Sequence, residues 1–323
     1  MEMLDISRKI RAGQDMEYAP LHGTNTHVQL MVSADDSCSA LHKFAAPRLI
    51  PILSNYAFPR RILDIWAREY DGERPYAFVL EHHAAGGHNA PPRNREKFAE
   101  ADDISSYFDK VLGLGVPVYV AGAGSTREDY LRWTERGACG LQVGSRFALC
   151  EESGMRGDLK QEIIGRNALG EGEVHTSLRL SSTGYPFKYY PLPGSLSEEE
   201  VYAARTRICN KGYLLESHFR TNDDGSVDHT YICPGMPVKQ YVNLGGEPQD
   251  TVGRDCLCNA LLATAGLGDN GEPPIITLGE GGANIRRSLT AREIVEDILT
   301  PEYVASMERQ LSCDPIAQTA GVG

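Results

Sequence analysis

Three histidines and a glutamate follow one short apolar run of the chain. The run YAFVLE (76–81) ends at Glu81, and the next seven residues, HHAAGGH (82–88), place the histidines around two adjacent glycines. Histidine titrates near neutrality and suits proton abstraction from carbon, while adjacent glycines let a planar ligand lie against the backbone. A metal site is the alternative, although the spacing matches no metal motif. The simplest alternative is a glycine turn carrying exposed histidines.

Small residues also follow two later apolar runs. GAGST (122–126) comes after PVYVA, and Ser145 and Arg146 come after GLQVG (140–144). Small residues let backbone N–H groups approach an anion, and the N-terminus of a following helix adds a favourable dipole. In parallel α/β folds such loops meet at the carboxyl ends of the strands. The pair of loops therefore predicts a phosphate site, with simple tight turns as the alternative.

The elements that must position these loops alternate between strand and helix. The predicted strands are LIPIL (49–53), YAFVLE (76–81), PVYVAGAG (117–124) and ACGLQVGSRFALC (138–150). The predicted helices are 59–70, 102–115 and 125–137, and Ser125 and Glu128 stand at capping-box spacing at the start of the third. This alternation indicates parallel strands with right-handed crossovers, hence an α/β fold of the doubly wound or TIM-barrel type.

The second half of the chain has a different character. A helix is predicted over 153–164 and a short one at the capping box of Ser197 and Glu200, and the rest is expected to be mostly irregular. The aromatic segment TGYPFKYY (183–190) is expected to pack into the core, with an interface role as the alternative. We interpret 166–323 as an extension that packs on the first 165 residues.

Four cysteines lie in this extension, at positions 209, 233, 256 and 258. Four thiolates can close a tetrahedral zinc or iron–sulfur site. Their spacing is long and irregular, unlike that of paired CxxC motifs, and buried thiols commonly serve as small apolar side chains. We therefore assign no metal ligands among these cysteines, and whether they bind a metal ion is left open by the sequence.

Charge and composition exclude several classes of protein. The 323 residues carry a formal net charge of -12 and no strong basic patch, which argues against nucleic acid as a partner. No apolar window is long enough for a membrane span, and the N-terminus lacks the apolar region of a signal peptide. Eight cysteines in a chain of this length indicate reduced thiols and a cytoplasmic location.

Several of these motifs resemble the nitronate monooxygenase family, formerly called 2-nitropropane dioxygenases. The motifs are AGGHNAPPR (85–93), PVYVAGAGSTREDYLRWTERGACGLQVGSRFALCEESG (117–154), STGYPFKYY (182–190), GSLSEEEVYAARTRIC (194–209), CPGMPVKQYV (233–242), GGEPQDTVGRDCLCNALLA (245–263) and EPPIITLG (272–279). Within the family the chain is most similar to long members with a cysteine-bearing C-terminal extension. The resemblance implies an FMN-dependent TIM-barrel oxidoreductase, a flavoprotein monooxygenase that oxidises alkyl nitronates with dioxygen. Related enoyl reductases instead use NAD(P)H to reduce an enoyl thioester.

The resemblance also assigns roles to individual residues. It places the FMN phosphate on Ala121, Gly122, Ala123, Gly124, Gln142, Gly144 and Ser145, and the flavin ring against Ala85, Gly86 and Gly87. It makes His88 the catalytic base, and it puts Glu81 and His83 in the substrate-facing or supporting surroundings. We predict no metal ligands among these residues, because their spacing matches no metal motif.

The chain departs from the family pattern at its N-terminus, where the first βα units of the family are not found. Only HVQLMVSADD (27–36) looks like a strand before Leu49, and four or five strands cannot close an eight-stranded barrel. We therefore expect residues 1–165 to be the C-terminal part of a TIM-barrel FMN domain. Either the reading frame is truncated, or the half-barrel is completed by another chain or by a homo-oligomer. A non-catalytic fragment that needs a partner chain is the alternative to an active enzyme.

Overall fold

A four-stranded parallel sheet forms the centre of the first half of the chain. The computed structural model describes residues 16–18, 30–32, 48–69, 72–89, 103–222, 224–268 and 271–304. The sheet has the order β3-β4-β6-β7, and its strands are β3 (Ile52–Leu53), β4 (Phe78–Glu81), β6 (Val118–Ala121) and β7 (Gly140–Gln142). In its register Leu80 lies opposite Val120, and Ala121 lies opposite Gln142. The predicted α/β class and the parallel pairing are thus confirmed.

Helices make the crossovers between these strands, and they bury one face each. They are α1 (Ala57–Glu69), α2 (Ile104–Leu112) and α3 (Arg127–Glu135). The side chains of α2 at i, i+3, i+4 and i+7 spacing are buried against the sheet, and they are Ile104, Tyr107, Phe108 and Val111. They pack on Phe78 and Leu80 of β4 and on Val118 and Val120 of β6. This core fixes where the carboxyl ends of the strands stand.

The start of α3 differs from the prediction by one residue. Thr126, not Ser125, is the N-cap, and it forms the capping box with Asp129 rather than Glu128. The Asp129 carboxylate accepts hydrogen bonds from the backbone N–H groups of both Ser125 and Thr126, at 3.0 and 3.2 Å. The prediction was wrong here because Thr and Asp can satisfy the free N–H groups of a first helical turn as well as Ser and Glu can.

The fourth strand is much shorter than predicted. It ends at Gln142, and α4 (Ser145–Ala148) begins within the stretch that was predicted to continue the strand. The following helix, α5, runs from Gly157 to Leu169 and ends at Gly170, which adopts a left-handed conformation with φ of 77°. It therefore begins and ends later than the predicted 153–164.

The extension is more ordered than the sequence suggested. Two of its strands, β8 (His175–Ser177) and β9 (Phe187–Tyr189), form a three-stranded antiparallel sheet with β5 (Gly87–His88) of the first half, in the order β5-β9-β8. The remaining elements are α6 (Glu199–Ala204), a hairpin of β10 (Glu216–Thr221) and β11 (Val227–Ile232), α7 (Val238–Asn243), α8 (Cys258–Thr264) and α9 (Ala291–Ile298), with short 3₁₀ turns at Pro248–Thr251 and Glu280–Asn284.

The predicted capping box of Ser197 and Glu200 at the start of the short helix is wrong, because α6 has no side-chain cap. Phe187 and Tyr190 are buried, as predicted for the aromatic segment, whereas Tyr185 is exposed.

The predicted strand-like run near the N-terminus contains β2 (Leu30–Val32), which pairs antiparallel with β1 (Met16–Tyr18). These two strands form a separate sheet, and the four parallel strands do not close into a barrel among the described residues. None of the helices in the described ranges has the length and apolar character needed to span a bilayer.

Candidate functional site

A cavity of about 320 Å³ opens at the carboxyl ends of β4, β6 and β7. Most of its lining consists of small residues and backbone from the loops after these strands. The lining residues from these loops are Glu81, Ala84, Ala85, Gly86, Ala121, Gly122, Gly124, Ser125, Gln142, Val143, Gly144, Ser145, Arg146 and Ala148. The parallel register therefore brings segments that are far apart in the chain to one wall, as expected for this class of fold.

Eight of the ten residues predicted to bind the cofactor line this cavity. They are Ala85, Gly86, Ala121, Gly122, Gly124, Gln142, Gly144 and Ser145. Gly87 is not among the lining residues, and Ala123 lines a neighbouring cavity together with His82 and Asp103. The loops were thus located correctly as neighbours in space, while their role in binding stays a prediction.

Two of the glycines are required by the packing of the loops on each other. Gly122 has a φ of 72°, and a Cβ at this position would lie 2.6 Å from the backbone nitrogen of Ala85. A Cβ at Gly86 would lie 2.7 Å from the backbone nitrogen of Gly279. Gly144 differs, since an added Cβ would meet nothing within 4 Å. Its backbone faces the cavity, where a bound group could approach it closely.

The extension supplies the opposite wall, which the sequence analysis did not find. Thr277, Gly279, Gly281 and Ile285 line the cavity. The Gly279 N–H donates to Ser145 Oγ at 2.8 Å, and the Glu280 N–H donates to the Ala84 carbonyl at 3.0 Å. The run of small residues in TLGEGG (277–282) is the signal that could have pointed to this segment.

Asn167 holds this wall in place from the buried face of α5. Its side-chain nitrogen donates to the carbonyls of Gly282 and Ile285, at 2.9 and 2.7 Å. Its side-chain oxygen accepts a hydrogen bond from the Tyr190 hydroxyl at 2.9 Å. Because Asn167 is only 1% exposed, these bonds have no competition from water, and they tie the wall to the helix.

Two ionisable side chains line the cavity, the carboxyl group of Glu81 and the guanidinium group of Arg146. Burial raises the pKa of Glu81 from 4.5 to about 7, so this carboxyl exchanges a proton near neutral pH. The Arg146 guanidinium donates to the Ser125 carbonyl at 2.8 Å and forms an ion pair with Asp297 at 2.7 Å. The cavity therefore combines a carboxyl that titrates near neutral pH, a guanidinium group that is already paired with Asp297, and exposed backbone.

His88 stands beside the cavity and does not line it. Its Nε2 lies 2.5 Å from Ser181 Oγ, and its ring packs edge-on against Phe187 with the centroids 5.0 Å apart. Burial lowers the pKa of His88, which keeps the imidazole neutral at neutral pH and able to accept a proton. Its predicted role as the base is not tested by this placement.

The other two histidines occupy different surroundings. His82 lies 3.7 Å from Asp103; burial lowers the pKa of His82, and the Asp103 charge opposes that effect. The pKa of His83 is lowered by burial and then by the charge of His82. In the part of the chain that the structure describes, no three His, Cys, Asp or Glu side chains are placed to hold a metal ion as they stand.

No protein-family model and no curated protein matches this chain. FabK from Thermotoga maritima is 16% identical, with 84% of this chain and 65% of that chain covered and a TM-score of 0.47. A nitroalkane oxidase from Streptomyces ansochromogenes is 15% identical, with 84% and 61% covered and a TM-score of 0.43. The enoyl reductase domain of MlnA from the macrolactin biosynthesis cluster of Bacillus amyloliquefaciens is 11% identical, with 95% and 74% covered and a TM-score of 0.47.

The chain spans less than two thirds of the FabK and nitroalkane oxidase structures. Since these three TM-scores lie below 0.5, the assignment of a function has to rest on the site itself.

Proposed function

We propose that the cavity binds FMN and that the protein is an FMN-dependent oxidoreductase of the nitronate monooxygenase type. The observation that carries this proposal is the meeting of three strand-end loops around one cavity of about 320 Å³. This volume lies at the lower end of the range for small-molecule sites, roughly 300 to 1,000 Å³. The loops Ala121–Gly124 and Gln142–Ser145 would hold the phosphate, and Arg146 would complement its charge.

The residues present fit this group. The open space beside Gly144 leaves its backbone accessible, as close contact with a phosphate requires. Ala85 and Gly86 lie on the cavity wall next to Gly122, where they would face the ring system. When bound, FMN supplies the electron-transfer chemistry, and the protein contributes binding, orientation and proton transfer.

For the oxidation of nitroalkanes, the residue we assign as the base is His88. A neutral imidazole whose pKa is lowered by burial can take the α-proton of a nitroalkane, and the contact with Ser181 fixes the ring's orientation. Dioxygen is the second substrate of this reaction. A preformed nitronate has already lost its α-proton and needs no base, so the two substrates separate the proton step from all other steps.

A second function, reduction of an enoyl thioester with NAD(P)H, is favoured by Glu81. Such a reduction requires a proton donor at the α-carbon, and a carboxyl group with a pKa of about 7 is still protonated in a large fraction of the molecules at neutral pH. Glu81 also lines the cavity, which His88 does not. The two functions therefore depend on different residues and can be tested separately.

The binding of FMN is tested first, by titrating the purified chain with FMN and recording its absorbance and fluorescence. We expect yellow protein that retains about one FMN per chain after desalting. The variant Gly144→Ala should bind FMN more weakly, because its methyl group would enter the cavity. A colourless chain that does not take up FMN would refute the proposal and support the alternative of a fragment that needs a partner chain.

The reaction is tested next, with the flavin-loaded protein. Oxygen uptake that depends on a nitronate supports the first function, and rapid anaerobic bleaching by NAD(P)H without such uptake supports the second. His88→Asn should lower turnover of a neutral nitroalkane far more than turnover of the preformed nitronate. Equal losses on both substrates would contradict the assignment of His88 as the base.

A further inference from the structure

Two hydroxyl groups in the loop between β8 and β9 connect His88 to the extension. This hydroxyl pair consists of Ser181, whose Oγ lies 2.5 Å from His88 Nε2, and Thr183, whose Oγ1 lies 3.0 Å from Ser181 Oγ. Ser181 has no exposed surface, so water does not compete for its hydroxyl. Among the described residues, none is hydrogen-bonded to Nδ1, the other ring nitrogen. The hydroxyl pair therefore engages one nitrogen of the ring and leaves the second one for a substrate.

The heavy atoms of this arrangement are held in place. The Thr183 N–H donates to Ser181 Oγ and the Tyr185 N–H donates to Thr183 Oγ1, both at 3.2 Å. The His88 ring packs edge-on against Phe187, which is the residue opposite His88 in the pairing of β5 with β9. Only the hydrogens of the two hydroxyls and of the neutral imidazole can therefore be arranged in more than one way.

Two arrangements of these hydrogens satisfy all three groups. In the first, Nε2–H donates to Ser181 Oγ, the Ser181 hydroxyl donates to Thr183 Oγ1, and Nδ1 keeps its lone pair. In the second, the Thr183 hydroxyl donates to Ser181, the Ser181 hydroxyl donates to Nε2, and the ring hydrogen lies on Nδ1. Only the first has a lone pair on the free nitrogen. Only the first also stays intact in the imidazolium, because both nitrogens then carry a hydrogen.

We propose that the hydroxyl pair holds His88 in the tautomer with its hydrogen on Nε2, which makes Nδ1 the atom that takes the α-proton of a nitroalkane. This inference rests on the proposed function and on the assignment of His88 as the base. In this step the α-carbon–hydrogen bond breaks, its electron pair stays on the nitronate, and a bond forms between the proton and Nδ1. Ser181 and Thr183 act through His88, so they are positioning residues.

The tautomer is measured by nuclear magnetic resonance of the purified chain labelled with nitrogen-15 histidine, and the measurement needs neither FMN nor a substrate. At pH 8 the His88 ring is neutral, because burial lowers its pKa, and its signals are those that disappear in His88→Asn. We expect Nε2 to carry the hydrogen and Nδ1 to carry none.

Two variants at one position test the hydroxyl pair directly. Thr183→Val keeps the shape of the side chain and removes its hydroxyl, so Nε2 is the acceptor left for the Ser181 hydrogen. The ring hydrogen should then move to Nδ1, a change that a loss of packing alone does not produce. Thr183→Ser restores the hydroxyl and should restore the wild-type tautomer. The control is Ser182→Ala, at a neighbouring serine that is also buried, and it should leave the tautomer unchanged.

Turnover by the flavin-loaded chain tests the catalytic consequence. The ratio of nitroalkane turnover to nitronate turnover should fall roughly tenfold or more in Ser181→Ala and Thr183→Val, and it should not change in Thr183→Ser. General damage to the fold would lower both turnovers together and leave the ratio as it was.

The outcomes separate this inference from the proposed function. A wild-type His88 with its hydrogen on Nδ1, or a Thr183→Val spectrum identical to that of the wild type, would overturn the inference while FMN binding and nitronate oxidation stand. A chain with the hydrogen on Nε2 that binds FMN and turns over no nitroalkane or nitronate would refute the proposed function, and with it the catalytic role of the hydroxyl pair.

Discussion

Replacing Glu81 with glutamine tests whether the carboxyl in the cavity carries its proton at neutral pH. Glu81 ends β4 and lines the cavity, where burial is the cause that raises its pKa from 4.5 to about 7. Glutamine keeps the shape of the side chain and cannot ionise. The substitution should therefore remove one component of the pH dependence of stability while leaving the packing nearly unchanged.

The sign and size of this component follow from the two pKa values. Between pH 4.5 and about 7 the folded chain keeps the Glu81 proton and the unfolded chain loses it, so the free energy of unfolding falls as the pH rises. Each tenfold change in a proton-binding constant is worth about 1.4 kcal/mol. The full effect is therefore about 3 kcal/mol, complete just above the folded pKa and absent below the unfolded one.

The assay is urea unfolding of the flavin-free chain at pH 5 and pH 8, followed by tryptophan fluorescence. Both tryptophans, Trp66 and Trp133, are buried, so unfolding changes their emission. From pH 5 to pH 8 the wild type should lose about 2 to 3 kcal/mol more stability than Glu81→Gln does. The exposed Glu135 on α3 provides the control, and Glu135→Gln should follow the wild type.

The histidines of the loop after β4 also have lowered pKa values, but they are present in all three proteins and cancel in the comparison. An equal loss of stability in the wild type and in Glu81→Gln would refute the reasoning. It would show that the carboxyl is ionised in the folded chain and cannot serve as the proton donor of an enoyl reductase.

Three further predictions concern the packing of the cavity walls and the N-cap of α3. Gly122→Ala should destabilise the fold by about 1 to 3 kcal/mol in a denaturation experiment, because its φ is positive and Ala85 lies against it. Asn167→Ala should cost about 2 to 4 kcal/mol and weaken FMN binding in a titration, since it leaves buried hydrogen-bonding groups without partners. Thr126→Ala should cost about 1 kcal/mol, whereas Ser125→Ala should cost little; equal costs would contradict the assignment of the N-cap.

The location of the strand-end loops could be predicted from the sequence. Apolar runs followed by glycines and a helical pattern indicate parallel strands, and the carboxyl ends of parallel strands meet at one edge. That is why residues as distant as Ala85 and Gly144 were expected to be neighbours, and both line the cavity. The reason for the glycines was only partly foreseen, because Gly86 and Gly122 make room for neighbouring backbone in this fold.

The opposite wall could not be predicted in the same way. Gly279 is held against Ser145 across 134 positions of the chain by a hydrogen bond from its backbone, and a backbone hydrogen bond leaves no periodic pattern in the sequence.

The position of the His88 side chain could not be predicted from the sequence either. Its pairing with Phe187 across β5 and β9 turns it toward Ser181, and strand pairing of this kind is set by the whole extension rather than by the local motif.

The sequence by itself thus determined the α/β class, the order of the first elements and the loops that gather at the sheet edge, because these depend on local periodicity and turn residues. Only the tertiary structure decided which groups share a cavity. It placed Glu81 in the cavity wall and His88 outside it, and it brought four scattered cysteines around one small space. These outcomes depend on contacts between residues distant in the chain, and the spacing of residues carries no record of such contacts.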